Sequence, residues 1–235
     1  MNIAFIPVRG GSKSIPLKNI KELNGKPLVY WTTKAANDSK CIDKVIVATD
    51  SEEIKNVVKS FELPKIEIYD REPINAKDTS STESVMIEYI QKSELKPKDL
   101  FFLIQATSPL LNSKHIDGMY QAFMNGEANS MFSGVREKQF HWKFLPHQIS
   151  HNQNNFVIPV NYDYRNRPRR QEFEGLIAEN GACYINSVEN ILRDKCRLSG
   201  NIAAYELPSY TGYEIDEPED WIIIEELMKR FFFNL

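Results

Sequence analysis

The strongest constraint on this chain is a set of short, continuous apolar runs that are too brief for buried helices. Residues 44–48 read KVIVA and residues 100–104 read LFFLI. A strand apolar on both sides has both sides covered, which is the situation of a parallel sheet clad by helices. Runs of the same kind at 3–8, 65–69, 130–135, 183–186 and 202–207 also read as strands. Helical stretches lie between them at 28–36, after Ser51, at 82–92, at 113–125 and at 218–232. Ser51 is a candidate N-cap, with Glu52 and Glu53 at the positive end of the helix dipole. This alternation predicts a doubly wound α/β fold with a mostly parallel sheet. At 235 residues the chain reads as one domain, 1–235, large enough to need no disulfide or metal staple.

The rhythm breaks at 138–174. That stretch carries His141, His147 and His151, several Asn and Gln, and the basic run Arg165-Asn166-Arg167-Pro168-Arg169-Arg170. Its composition suits an extended arm better than a core layer. The histidines lack zinc-ligand spacing, and the arginines read as a solvated or subunit-contact face. Phe231, Phe232 and Phe233 read as the closing edge of a core. A formal net charge of −3 excludes a polyanion binder that works by bulk attraction, so no nucleic acid is expected and any phosphate site must be local. Cys41, Cys183 and Cys196 form no CxxC pair and read as reduced thiols. The N-terminal apolar run is too short for a signal peptide, and no stretch approaches the roughly 20 apolar residues of a membrane helix. A cytoplasmic protein that makes no membrane contact is expected.

Ligands of parallel α/β sheets collect at the carboxyl ends of strands, where loops and helix N-termini aim N–H groups outward. The first such end reads Arg9-Gly10-Gly11-Ser12-Lys13-Ser14-Ile15-Pro16-Leu17-Lys18-Asn19. Its glycines admit close backbone approach to an anion, and Arg9, Lys13 and Lys18 supply positive charge. Neither a Walker loop nor GxGxxG is present. A phosphate site and a plain Gly-rich turn both fit this loop. A second constellation, Gln105-Ala106-Thr107-Ser108-Pro109, ends the most apolar strand and offers hydrogen-bonding groups to a polar ligand; a simple strand-to-helix turn fits it as well. In a third, Glu214-Ile215-Asp216, an extended backbone would put both carboxylates on one face. Two such carboxylates raise each other's pKa unless a cation neutralises them, and Mg²⁺ with its oxygen ligands is the natural choice; a plain acidic pair on an exposed strand fits as well.

Taken in chain order, RGGSKSIPLKN at 9–19, Thr49-Asp50-Ser51, REPINAKDTSST at 71–82, QATSPLL at 105–111, NGACYI at 180–185 and EIDEPEDW at 214–221 resemble the acylneuraminate cytidylyltransferases, the CMP-sialic acid synthetases. RPRRQEFEG followed by ENG resembles the animal-type members more than the short bacterial ones. The resemblance implies a Rossmann-like nucleotidyltransferase fold and Mg²⁺-dependent transfer of CMP from CTP to the anomeric hydroxyl of a nine-carbon 2-keto sugar acid, with release of pyrophosphate. It implies that Arg9, Gly10, Gly11, Ser12 and Lys18 hold the triphosphate, and that Asn19, Arg71 and Thr82 read cytosine and ribose. Gln105, Thr107, Ser108, Lys143, Arg170 and Tyr184 would face the sugar acid, Glu214 and Asp216 would bind Mg²⁺, and Arg9, Lys18 and Asp216 would be catalytic. The 138–174 stretch would be a dimerisation arm that reaches into the partner's active site. A homodimer is therefore implied, with pairing into a tetramer left open.

Two residues depart from the family pattern. Glu214 stands where many members carry Asp, and Ala178-Glu179 stands where bacterial members place an arginine before Asn-Gly. Arg167, Arg169 or Arg170 could replace that arginine. The acceptor could be N-acetylneuraminate, its deaminated analogue, legionaminate or pseudaminate, with the eight-carbon 3-deoxy-octulosonate a weaker fit. More remote readings are a nucleotide-sugar glycosyltransferase using Glu214 and Asp216, and a non-catalytic nucleotide-binding subunit.

Overall fold

The computed structural model describes residues 1–11, 14–76, 80–145 and 156–233. Its centre is a seven-stranded sheet built from β1 (Asn2–Pro7), β4 (Lys44–Thr49), β5 (Ile66–Asp70), β6 (Leu100–Ile104), β7 (Ser130–Glu137), β10 (Leu176–Ser187) and β11 (Ile202–Leu207). Strand order is β11-β7-β10-β6-β1-β4-β5. β1 pairs parallel with β4 and β6, β4 with β5, and β7 with β11. Only β10 among these strands runs against its neighbours, pairing antiparallel with β6 and β7. The sheet is mostly parallel, as the apolar runs predict.

Alternation along each strand divides the core in two. Ala4, Ile6, Val45, Val47, Phe102 and Ile104 point to one face with α1 (Leu28–Asp38), α2 (Glu52–Lys59) and α4 (Ser113–Asn125). Ile3, Phe5, Ile46, Phe101 and Leu103 point to the other, against α3 (Thr82–Lys92) and α5 (Val188–Asp194). The period-2 pleat thus yields three layers, helix on sheet on helix. Side-chain caps set the helix starts. Ser51 accepts from the Ile54 amide as expected, Ser81 from Ser84, and Ser187 from Asn190.

A third apolar cluster lies off the sheet and joins Ile15, Leu23, Leu28, Leu110 and Ile215 with Trp221, Ile224 and Met228 of α6 (Pro218–Met228). Ile15 belongs to the glycine loop and Ile215 sits between the paired carboxylates, so one core anchors both segments. The expected helix at 218–232 is α6 followed by a wider π-helical turn, Lys229–Phe233. Phe232 packs partly against this cluster, while Phe231 is exposed and stacks on Tyr210 at 4.2 Å between ring centroids.

Elements not expected from the pattern are α5 and two small hairpins. β2 (Glu22–Leu23) pairs with β3 (Lys26–Pro27), and β8 (Trp142–Phe144) with β9 (Val157–Pro159). The second hairpin lies within the 138–174 stretch, as does a short 3-10 turn, Tyr164–Asn166. No helix among the described residues is long and apolar enough to cross a membrane.

Candidate active site

The carboxyl ends of β1, β5 and β6 open onto a cleft of about 540 Å³. Its wall includes Pro7, Arg9, Gly11, Lys18, Asn19, Arg71, Thr82, Gln105, Thr107 and Asp216. Residues scattered over 200 positions of the chain meet here because adjacent parallel strands all end on the same side.

Each wall is tied down. Asp50, just past β4, accepts the Gly10 amide at 3.1 Å, and Asn19 Nδ2 donates to the Arg9 carbonyl at 3.0 Å, folding the glycine loop back on itself. The loop closes through a left-handed Leu17 at φ 52° into a short 3-10 turn, Lys18–Ile20. Arg71 Nε donates to the Ala48 carbonyl at 3.0 Å and its amide to Thr49 O at 3.2 Å, which lays the side chain across the end of β4. Burial pushes the Arg71 guanidinium pKa down, opposed by the nearby charges of Asp50 and Glu88 and reinforced by Arg9. Ser80, Ser81 and Thr82 bring the start of α3 to the rim, so the positive end of that helix faces the cleft.

The opposite wall joins three segments. Lys18 Nζ donates to the Ile215 carbonyl at 2.8 Å and approaches Asp216 Oδ1 at 3.4 Å. The Ile215 amide donates to Thr107 O at 2.8 Å, linking the QATSP turn to the acidic segment. Ile215 is fully buried while Glu214 and Asp216 are exposed, the alternation expected of an extended stretch. Gly181 lies opposite at φ +67°, within a bulge of β10 between Glu179 and Tyr184. A methyl group placed on Gly181 would stand 3.2 Å from Glu214 Oε2 and 3.8 Å from Gln105 Nε2. Glycine there lets a carboxylate and an amide crowd the backbone. The Glu214 pKa is raised, first by partial burial of its carboxyl and then by Asp216 and Asp220, with Lys18 opposing.

Not every expected residue comes to this cleft. Tyr184 packs in the core beside Leu103 and Val188, and its hydroxyl donates to Glu179, because its position on β10 faces the α3–α5 layer. Ser108 is buried, with no partner for its Oγ among the described residues. Lys143 lies on the exposed β8 strand, and Arg170 sits in the segment that follows, its carbonyl accepting from Lys138 at 3.4 Å. Neither lines the cleft of its own chain. Arg167 stacks over Phe140 at 4.6 Å, and His141 is paired with Glu137 at 3.5 Å. Ser12, Lys13, His147 and His151 lie outside the described residues. Among the described residues, no group of three or more His, Cys, Asp or Glu is placed to hold a metal ion.

Sequence reasoning assigned no role to Ser14, Ser80, Ser81 or the Asp50 clamp. The Ser80-Ser81-Thr82 run before an apolar helix is a capping signal that could have placed the first residues of α3 at the site.

Residues 3–157 match the family model described as Cytidylyltransferase. The chain belongs to the cytidylyltransferase family. Among curated relatives it is 38% identical over 229 residues to N-acylneuraminate cytidylyltransferase B of Danio rerio, covering 97% of this chain and 51% of that protein. It is 38% identical over 235 residues to the N-acylneuraminate cytidylyltransferase of Oncorhynchus mykiss, covering 99% of this chain and 51% of that protein. A Streptococcus agalactiae N-acylneuraminate cytidylyltransferase is 28% identical, covering 94% of this chain and 51% of that protein. The chain therefore spans about half the length of the curated relatives it matches. Solved cytidylyltransferases share the fold. A CMP:2-keto-3-deoxy-manno-octonic acid synthetase complexed with CTP superposes with a TM-score of 0.70 at 18% identity, covering 97% of this chain and 98% of that one. The 2-C-methyl-D-erythritol 4-phosphate cytidylyltransferase of Francisella tularensis gives 0.66 at 16% identity, covering 96% and 98%.

Proposed function

We propose that this cytidylyltransferase transfers CMP from CTP to the anomeric hydroxyl of an N-acylneuraminate-type sugar acid and releases pyrophosphate. The observation that carries the reading is the cleft itself. Arg9 and Arg71 share one wall system with the α3 N-terminus, while Lys18, Gln105, Thr107 and Asp216 close the other side. The named relatives, similar along nearly the whole chain, supply the substrate class.

Substitution at phosphorus asks for charge neutralisation and alignment, with little covalent work by the protein. Arg9, Lys18 and the amides of the glycine loop neutralise the triphosphate and stabilise the leaving pyrophosphate. Arg71 and Asn19, pinned at the ends of β4 and β1, contact the nucleoside, and Thr82 adds a hydroxyl at the start of α3. Gln105 and Thr107 orient the acceptor sugar so that its anomeric hydroxyl meets the α-phosphorus in line with the leaving group.

Mg²⁺ fits the donor set. Two carboxylates, Glu214 and Asp216, flank a buried Ile215, and an incomplete protein cage suits an ion that keeps waters and takes phosphate oxygens as further ligands. When bound, it would supply charge neutralisation to the phosphates beyond what Lys18 provides.

The β8–β9 hairpin supports a homodimer. Trp142, Phe144 and Val157 share one face of it and are exposed, a solvent-facing apolar surface that suits an interface. Lys143 and Arg170, absent from the cleft of their own chain, then serve the partner's cleft. The three free cysteines, with no membrane-crossing helix among the described residues, are in keeping with a cytoplasmic protein.

The test is a panel of N-acetylneuraminate, its deaminated analogue, legionaminate, pseudaminate and 3-deoxy-octulosonate, each with CTP and Mg²⁺, scored by pyrophosphate release. Release with N-acetylneuraminate and little with the eight-carbon acid is expected. Release with none of them overturns the assignment.

A further inference from the structure

Glu88 is a carboxylate buried on α3, only 6% exposed, at a position where the helix pattern suggests a solvated side chain. Burying a charge is costly unless donors surround it. Here they do. Glu88 Oε1 accepts from the Tyr69 hydroxyl at 2.6 Å and the Glu72 amide at 2.9 Å, while Oε2 accepts from Asn75 Nδ2 at 2.5 Å. Lys92, one turn along, stands 3.8 Å away and also pairs with Glu72. Burial pushes the Glu88 pKa up, but these donors and Lys92 outweigh it, so the group stays ionised at neutral pH.

The three donors have one thing in common. They bracket Arg71. Tyr69 lies at the end of β5, Glu72 follows Arg71 directly, and Asn75 closes the short 3-10 turn Pro73–Asn75. On its other side Arg71 is fixed to β4 through Ala48 and Thr49. The segment that presents Arg71 to the cleft is thus held between the end of β4 and a single carboxylate on α3, the helix whose first residues form the adjoining rim. Glu88 itself does not line the cleft.

We propose that Glu88 is a positioning residue for nucleotide binding, clamping the 69–75 segment to α3 so that Arg71 and the α3 N-terminus keep a fixed spacing along one side of the cleft. The proposal rests on the reading of that cleft as the CTP site. It predicts that the clamp acts on CTP and leaves the sugar acid untouched, since Gln105 and Thr107 hang from β6.

The experiment uses the full chain, with CTP binding measured by calorimetry and steady-state kinetics measured with each substrate varied in turn. Glu88→Gln keeps the shape but puts an N–H donor where Asn75 Nδ2 now donates. Asn75→Ala removes one donor from a surface turn and leaves the helix intact. Both variants are expected to raise Kd and KM for CTP, by roughly tenfold or more for a displaced contact residue, while kcat and KM for the sugar acid change little. Asn75→Ala added to Arg71→Ala should cost little further, because both act through one contact. CTP affinity equal to wild type in both variants overturns the proposal. So does a loss spread evenly over both substrates that follows a fall in Tm, the signature of a merely structural role. Failure of the wild-type chain to bind CTP at all overturns instead the reading of the cleft, and the proposal with it.

Discussion

At the residue scale, Lys18 ties two segments of the cleft together. Its ammonium bridges the glycine loop to the acidic segment through Ile215 O and Asp216, so one side chain both holds the wall and carries charge into the cleft. Lys18→Met should lower kcat/KM by about 10²–10³-fold, the scale seen when a preorganised electrostatic group is removed from a reacting centre. Steady-state pyrophosphate release checks this, and turnover within a factor of a few of wild type would contradict it. Which residues meet was only partly legible. Arg9 and Gln105 follow β1 and β6 into the cleft as their positions suggest, while Lys18 and Asp216 reach it from a 3-10 turn and an extended segment off the sheet. Tyr184 was not placed by that logic, because its side of β10 depends on the bulge at Gly181, which strand periodicity alone does not locate. Glu88 was hidden for a related reason: a glutamate among Ile87, Tyr89 and Ile90 reads as solvent-facing until its three donors are seen.

At the element scale, the β10 bulge and the α1–β4 connection carry separable predictions. Gly181→Ala forces an L-residue into a left-handed backbone and a methyl against Glu214, so it should cost about 1–2 kcal/mol of stability from the backbone alone and also displace the carboxylate. Urea unfolding measures the first effect and Mg²⁺ dependence of turnover the second. Asp117 on α4 fastens the turn between α1 and β4, its Oδ1 accepting from Ser39 Oγ, Lys40 N and Cys41 N at 2.6, 2.9 and 3.1 Å. Burial pushes its pKa up, yet these donors bring it below the ordinary aspartate value. The stability it contributes is therefore complete above the unfolded pKa of about 3.9 and is lost as pH falls through the lower folded value. Melts of Asp117→Asn should lie below wild type at pH 7, with the gap narrowing toward pH 3. A gap independent of pH would contradict the assignment. Strands with two apolar faces were legible because a parallel sheet demands them. The seven-residue α5 and the two-residue strands β2 and β3 were not, since so few residues carry no readable period.

At the scale of the whole molecule, an acidic total of −3 coexists with cationic side chains and an α3 N-terminus facing one cleft, so the proposed binding of CTP is local and does not depend on net charge. On the proposed reading, the arm completes the site from a second copy. Replacing Trp142 and Phe144 together by Ser should convert a sedimenting dimer to monomer and depress turnover, while CTP binding persists in each isolated chain. An unchanged sedimentation coefficient would exclude the hairpin as the interface. The central claim is tested most directly by following the α-phosphate of CTP. The chain is incubated with Mg²⁺, N-acetylneuraminate and CTP labelled at the α-phosphorus, and products are separated and weighed by mass spectrometry. The label is expected to move to a compound with the mass of a CMP-sugar, with one pyrophosphate released for each label transferred. Label that stays in CTP, or appears only as free CMP, would contradict the central claim.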